Sequence, residues 1–239
     1  MHRLLVEAAE LEKERARLPA AAARHLKVLR LEAGEEVELF DGRGGTRVYA
    51  YHSGELTAAG PLCRVGRPDA ELVLFACVTK GSRWDWTVEK ATELGASRIV
   101  PVISDRTIVR LAAAEREAKR ARWQRIAEDA ARQSDARWVP EIAAPVDFAA
   151  SLAEVRKLRC FVGAILRDGR EAMPIARAVA AAKGERALAV YVGPEGDFTP
   201  AELEALMAIA TPVSFGATIL RAETAAIYGL SVLKAALDS

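Results

Sequence analysis

Two short segments hold most of the residue types able to do chemistry. They are Tyr191-Val-Gly-Pro-Glu-Gly-Asp-Phe-Thr-Pro-Ala-Glu202 and Phe215-Gly-Ala-Thr-Ile-Leu-Arg-Ala-Glu-Thr-Ala225. Each joins the end of an apolar strand to a helix start through glycines and polar groups, as α/β proteins do where they build small-molecule sites. The glycines of Gly193-Pro194-Glu195-Gly196 let backbone groups approach a ligand with no side chain between, so a planar ring can be held there. The same tetrapeptide also reads as a tight turn before a cap at Thr199. In the second segment Ile219 and Leu220 precede a polar cluster of Arg221, Glu223 and Thr224. Apolar, backbone-rich walls beside a few polar groups suit adenine with a charged amino-acid tail.

Other chemistries find little support. Gly42-Arg-Gly44-Gly45-Thr-Arg47 begins like a dinucleotide fingerprint but fails at the third glycine, and no helix pattern follows, so it reads as a hairpin turn. No phosphate-binding P-loop, nucleophile elbow or metal-binding helix pattern occurs. Cys63, Cys77 and Cys160 lie far apart and read as core residues or free thiols, and none of the three histidines is spaced as a ligand pair, so no metal is expected. An apolar content of 51% with 28% charge marks a folding chain, and no run approaches the roughly twenty apolar residues of a membrane span. Charges interrupt Met1-His-Arg-Leu-Leu-Val-Glu-Ala-Ala-Glu10 before a signal sequence can form, so a cytoplasmic location is expected.

The elements that must position these loops follow from periodicity. Residues 35–65 look β-rich, with a turn at Asp41-Gly42-Arg43-Gly44-Gly45 and a second at His52-Ser53-Gly54. Val65-Gly66-Arg67-Pro68-Asp69 reads as a linker, which predicts domains at 1–69 and 70–239. Beyond it strands are predicted at 72–79, 98–103, 158–165, 187–193 and 212–216, with a weak one near 138–143. Trp84, Val88, Ala91 and Leu94 form a helical stripe closed by Gly95, and Trp123, Ile126, Ala127 and Ala130 form another. Pro174 suits the first position of a helix, and Thr199-Pro200-Ala201-Glu202 supplies an N-cap, a first-turn proline and a capping-box glutamate. The alternation implies an α/β fold with a largely parallel sheet covered by helices.

The motifs together resemble a family. Val28-Leu-Arg30, Val37-Glu-Leu-Phe-Asp-Gly42, Lys80-Gly-Ser-Arg-Trp-Asp-Trp-Thr-Val-Glu-Lys-Ala-Thr-Glu-Leu-Gly95, Arg132-Gln-Ser134, Gly193-Pro-Glu-Gly196 and Ile219-Leu-Arg-Ala-Glu-Thr-Ala225 are similar, in order along the chain, to bacterial 16S rRNA uridine-N3 methyltransferases of the RsmE type. The resemblance implies a PUA-like β-barrel followed by a SPOUT methyltransferase domain with a C-terminal deep trefoil knot. It also implies S-adenosyl-L-methionine as cofactor, a homodimer, and 16S rRNA or the small ribosomal subunit as partner. Carried onto matching positions, the cofactor-binding residues are Gly193, Pro194, Glu195, Gly196, Gly216, Ile219, Leu220, Arg221, Thr224 and Ala225. The loop after Leu166 is expected to add a third wall. Two departures stand out: Asp197 where the family usually has a second glycine, and Thr218 where it has an arginine. Helix-start electrostatics near Thr199 accounts for Asp197, while Thr218 leaves Arg221 as the one arginine of its loop.

Net charge is +1, but residues 79–140 hold 13 Lys and Arg against 9 Asp and Glu. With the family resemblance, Lys80, Arg83, Lys90, Arg106, Arg110, Arg132 and Arg137 are candidate contacts to rRNA phosphates, extended by Arg24, Lys27 and Arg30 in the first domain. Trp84 reads as core, and Trp86 as the better stacking candidate. For catalysis, uridine N3 carries a weakly acidic proton, which a base must remove or positive charge must offset in the anion. Arg221 is the candidate cation, and Glu195 or Glu223 the candidate proton acceptor or sulfonium counter-charge. Arg221 and Glu223 also fit an internal salt bridge. Two other readings remain open: a SPOUT ribose 2′-O-methyltransferase, and a non-catalytic RNA-binding or ribosome-assembly protein.

Overall fold

The structure, a computed structural model, describes residues 1–18, 22, 26, 31–166, 171–182 and 184–238. It forms two compact units, Met1–Pro68 with Glu128–Val139, and Asp69–Ala127 with Pro140–Ser239. The linker reading divides the chain once near residue 69; the first unit also takes in a segment from the middle of the chain.

In the first unit, β1 (His2–Leu5), α1 (Ala8–Leu11) and β2 (Arg15–Ala16) precede β3 (Glu36–Phe40), β4 (Gly45–His52), β5 (Glu55–Ala58) and β6 (Cys63–Arg64). The sheet order is β1-β3-β4-β5-β2, with β6 on β4. The turn predicted at 41–45 joins β3 to β4: Asp41 Oδ1 accepts from the backbone of Arg43 at 2.7 Å and Gly45 at 2.8 Å, and Gly42 and Gly44 take positive φ of 67° and 91°. Ser53 and Gly54, at φ 49° and 98°, turn β4 into β5, the two-residue geometry that a twisted hairpin requires. Val37, Leu39, Tyr49 and Leu56 bury one face with Leu4, Val6 and Leu11.

Buried Arg3 binds the added segment to this sheet. Its Nε donates to Glu38 at 2.5 Å, its Nη1 to the carbonyls of Ala131 at 3.0 Å and Ala136 at 3.3 Å, and its guanidinium lies 4.3 Å from the Phe40 ring centroid. The hairpin turn adds Gly44 N–H to Arg137 O at 2.9 Å and Val139 N–H to Gly42 O at 3.0 Å.

The second unit comprises β7 (Glu71–Cys77), α2 (Ser82–Glu93), β8 (Arg98–Ile103), most of α3 (Ala113–Gln133), β9 (Glu141–Ile142), β10 (Val146–Asp147), α4 (Phe148–Val155), β11 (Arg159–Gly163), β12 (Met173–Pro174), α5 (Ile175–Ala180), β13 (Ala187–Val192), α6 (Pro200–Met207), β14 (Thr211–Ser214) and α7 (Ala222–Leu237). Its strands pair in parallel in the order β10-β8-β7-β13-β11-β14-β12, with β9 on β8. The five predicted strands are present to within two residues at each end, and the weak one reduces to β9. Leu72 to Cys77 and Leu188 to Val192 are buried without interruption, as expected of strands covered on both faces.

Local signals set the helix ends. At the end of α2, Gly95 takes φ 79°, its N–H reaches Thr92 O at 2.9 Å, and Ala96 N–H reaches Ala91 O at 3.0 Å, a Schellman closure. Trp84 and Trp123, buried as their stripes predict, meet edge to face at 5.4 Å. Pro174 is one residue out: it is the N-cap before Ile175, and it pairs with Ser214 in β12. Helix α7 approaches β13 closely at Gly229, where a Cβ would stand 2.8 Å from Val190 Cγ2. No helix among the described residues is long and apolar enough to cross a membrane.

Candidate functional site

Because the second sheet is parallel, the loops that follow β7, β8, β11, β13 and β14 emerge at one edge. Strand β13 lies between β7 and β11, and β11 lies between β13 and β14. The two glycine-containing segments therefore leave that edge on either side of the end of β11, with the loop after β8 two strands from β13.

The first segment is held at several points. Gly193 packs on the Phe198 ring, where a Cβ would meet ring carbon at 3.0 Å. Asp197 N–H bonds to Pro194 O at 2.9 Å, and Asp197 has φ 61° with its Oδ1 accepting Phe198 N–H at 2.8 Å. The family's second glycine thus meets a left-handed backbone, and an aspartate that bonds locally is among the few side chains tolerating it. The geometry supplies a more direct reason for Asp197 than helix-start electrostatics. Thr199 is the N-cap of α6: its Oγ1 accepts Glu202 N–H at 3.3 Å, and Glu202 Oε2 accepts Thr199 N–H at 2.9 Å, with Pro200 in the first turn. Pro194 is buried, Gly193 half-buried, and Glu195 and Gly196 exposed.

In the second segment Gly216 has φ 118° and open space where a Cβ would be. Ile219 is 78% exposed, Leu220 half-buried, Arg221 and Thr224 exposed and Ala225 buried. Glu223 is only 9% exposed, yet its Oε2 has no hydrogen-bond partner. Among the described residues no ion pair joins it to Arg221, so the internal salt bridge is not formed. Arg221 is instead the N-cap residue of α7, its carbonyl accepting Ala225 N–H at 2.8 Å. The Phe215 ring rests on Gly163 at the end of β11, where a Cβ would lie 2.5 Å from it, and meets Tyr228 of α7 at 5.8 Å.

Several cations predicted for RNA have protein partners. Arg83 Nη1 donates to Glu195 Oε1 at 3.1 Å, and Arg106 Nη1 to the carbonyls of Gly196 at 3.1 Å and Phe198 at 3.2 Å. Arg110 reaches Ser104 O at 3.1 Å and Asp105 O at 2.7 Å, and Lys90 reaches Glu89 and Glu93, both at 2.8 Å. Arg132 lies 3.6 Å from Asp129, while Lys80, Arg137 and Trp86 are exposed. Arg132 and Arg137 belong to the first unit. Arg24, Lys27 and Arg30, and the segment 167–170 within the predicted third wall, lie outside the described residues.

Beneath the edge, burial pushes the Cys77 thiol up to about 12 against hydrogen bonds from Ser104 and Thr107, and burial alone does the same to Cys160. Neither is poised as a nucleophile at neutral pH. Burial also raises the Tyr191 hydroxyl, which bonds to Ser151 at 2.8 Å. Among the described residues no group of three or more His, Cys, Asp or Glu is arranged to hold a metal.

Known proteins match this arrangement over its whole length. Residues 67–234 fit the RNA methyltransferase domain family and residues 18–51 the RNA methyltransferase PUA domain. The chain is 32% identical to ribosomal RNA small subunit methyltransferase E of Synechocystis over 248 residues, covering 100% of this chain and 78% of that protein. It belongs to the ribosomal RNA small subunit methyltransferase E family. The Bacillus subtilis member is 34% identical over 158 residues, 64% of this chain and 61% of its own. Among solved structures, a Legionella pneumophila methyltransferase with the bound cofactor SAM aligns with a TM-score of 0.82 at 26% identity, over 98% of this chain and 97% of that one. A Neisseria gonorrhoeae methyltransferase E bound to S-adenosyl methionine aligns with a TM-score of 0.76 at 25% identity, over 98% and 96%. The α/β methyltransferase fold with a parallel sheet is thereby established.

Family membership does not reveal every residue that shapes the site. Gly163 gave no sequence signal within the strand read at 158–165, because its partner Phe215 is 52 positions away. Glu202 read as a helix cap, but its second oxygen, Oε1, accepts Asp105 N–H from the loop after β8 at 2.9 Å.

Proposed function

We propose that this chain transfers a methyl group from S-adenosylmethionine to N3 of a uridine in 16S rRNA. The observation that carries this reading is the placement of Gly193–Gly196 and Gly216–Ala225 at one sheet edge of a chain whose whole length aligns with a methyltransferase E. The cofactor fits the residues present. Glu223 offers a buried carboxylate oxygen without a partner, suited to a cationic ligand, and Gly216 leaves open space beside its backbone.

Gly193, Pro194, Glu195, Gly196, Gly216, Ile219, Leu220, Arg221, Thr224 and Ala225 would hold the cofactor. When bound, S-adenosylmethionine supplies an electrophilic methyl on positively charged sulfur, and transfer to nitrogen leaves S-adenosylhomocysteine. Glu223 places a fixed negative charge for that cation. Glu195, whose side chain is partly open and fixed by Arg83, takes the N3 proton. Arg221, exposed at the start of α7, offsets charge that develops on the uracil oxygens. Since N3 lies on the Watson–Crick edge, the uridine must be unpaired or extruded.

The reading extends to a PUA-like β-barrel over 1–69 and a SPOUT domain over 70–239 with a deep trefoil knot. Strand β13, later in the chain than β7 and β11 yet paired between them, supports the latter. It further includes a homodimer in the cytoplasm and phosphate contacts from the cations that remain exposed, Lys80 and Arg137 among them. The test is methyl incorporation into small subunits or 16S rRNA from a strain lacking the activity, followed by nucleoside mass spectrometry. N3-methyluridine supports the reading; ribose methylation, or no transfer with cofactor bound, overturns it.

A further inference from the structure

The loop after β8 is closed by its own hydrogen bonds. Ser104 and Thr107 are buried, with Ser104 N–H to Thr107 Oγ1 at 3.0 Å, the two hydroxyls 2.9 Å apart, and Thr107 N–H to Ser104 O at 3.1 Å. Cys77 Sγ bonds to Ser104 Oγ at 3.4 Å from below, and Arg110 closes the outer side on the carbonyls of Ser104 and Asp105. Three hydrogen bonds, one from the backbone and two from a side chain, leave this loop for the glycine-rich segment after β13. Glu202 Oε1, on a carboxylate only 6% exposed, accepts Asp105 N–H, and the Arg106 guanidinium donates to Gly196 O and Phe198 O. The Arg106 stem also fits against Gly196, where a Cβ would stand 3.4 Å from its own Cβ.

We propose that Arg106 is a positioning residue for the Gly193–Phe198 loop, setting the backbone that meets the methyl donor, rather than a phosphate ligand. The glycines that allow close approach also leave their segment free to adopt other conformations, which weakens binding unless something fixes it. A single guanidinium shared by two carbonyls two residues apart fixes both the curvature and the height of that segment. The reasoning rests on the methyl-donor reading above, but the clamp itself does not.

Three measurements on the full-length protein test it, with Arg106→Ala and Arg106→Lys beside wild type. Hydrogen exchange without any ligand reads the clamp directly: Arg106→Ala should speed exchange at Gly196, Asp197 and Phe198 while leaving β13 protected. Titration with S-adenosylmethionine in the absence of RNA should show affinity about fivefold weaker in Arg106→Ala, modest because the bonds are partly solvent-exposed, and partly restored in Arg106→Lys. The salt dependence of RNA binding should keep its wild-type slope. Unchanged exchange in the loop, unchanged donor affinity in a variant whose wild type binds, or a salt slope lower by about one, as loss of a phosphate contact gives, each overturns the proposal. Failure of wild type to bind the donor would instead sink the function assigned to the loop, while exchange would still decide the clamp.

Discussion

Nη1 of Arg83 stands 3.1 Å from Oε1 of Glu195, so α2 and the segment after β13 are joined by an ion pair at the proposed reaction site. The Arg83 side chain is 45% exposed, and a pair so open to water adds little stability. Its consequence is orientation. Glu195→Gln is expected to lower kcat by about 10²-fold, the low end for a lost proton acceptor, with a smaller loss of donor affinity. Glu223→Gln should do the reverse, weakening donor binding several-fold with a smaller change in kcat. Single-turnover methyl transfer alongside calorimetric titration separates the two; a kcat loss confined to Glu223→Gln would exchange their roles.

Asp197 carries the strain of the turn. Asp197→Gly relieves the left-handed backbone and should leave thermal stability within about 0.5 kcal/mol of wild type. Asp197→Ala keeps the strain and loses the bond to Phe198 N–H, so it should cost about 1 kcal/mol. Urea denaturation resolves that difference.

Gly229 tests the packing of α7 on the sheet. An added methyl 2.8 Å from Val190 Cγ2 has nowhere to go, and Gly229→Ala should destabilise by about 1–3 kcal/mol despite its better helix propensity. Pairing it with Val190→Ala should recover a large part of the loss. A neutral single variant would mean that the helix shifts readily.

The buried thiols give stability a pH dependence with a definite sign. Cys77 and Cys160 are raised from 9.0 to about 12, so above pH 9 the unfolded chain gives up these protons first and unfolding is favoured. Their contribution is complete below pH 9 and is lost as pH climbs towards 12, at about 1 kcal/mol per thiol by pH 10. Urea midpoints should fall between pH 8 and 10. Alkylation in the native state should modify exposed Cys63 alone, with Cys77 and Cys160 reacting only in denaturant.

Much of this was legible because it is local. The strands are continuous apolar runs, Gly95 announces the end of α2, and Thr199 to Glu202 contain a complete helix start within four residues. Arg83 and Arg106 lie in a basic stretch, where a cation does not disclose its protein partner, and theirs lie 112 and 90 positions away. The left-handed backbone of Asp197 was not legible, because φ is invisible in a residue name. The membership of Glu128–Val139 in the first unit was equally hidden, since the bond from Arg3 to Ala131 spans 128 positions.

That last feature bears on how the protein is made. The first unit is discontinuous, so the strands within Met1–Pro68 leave the ribosome before the carbonyls that receive Arg3 and the backbone that pairs with Gly42 and Gly44 exist. At roughly 5–20 residues per second they wait several seconds for residue 139. Folding order is thus not the order of synthesis: the amino-terminal unit is begun first and completed only when part of the other has already emerged.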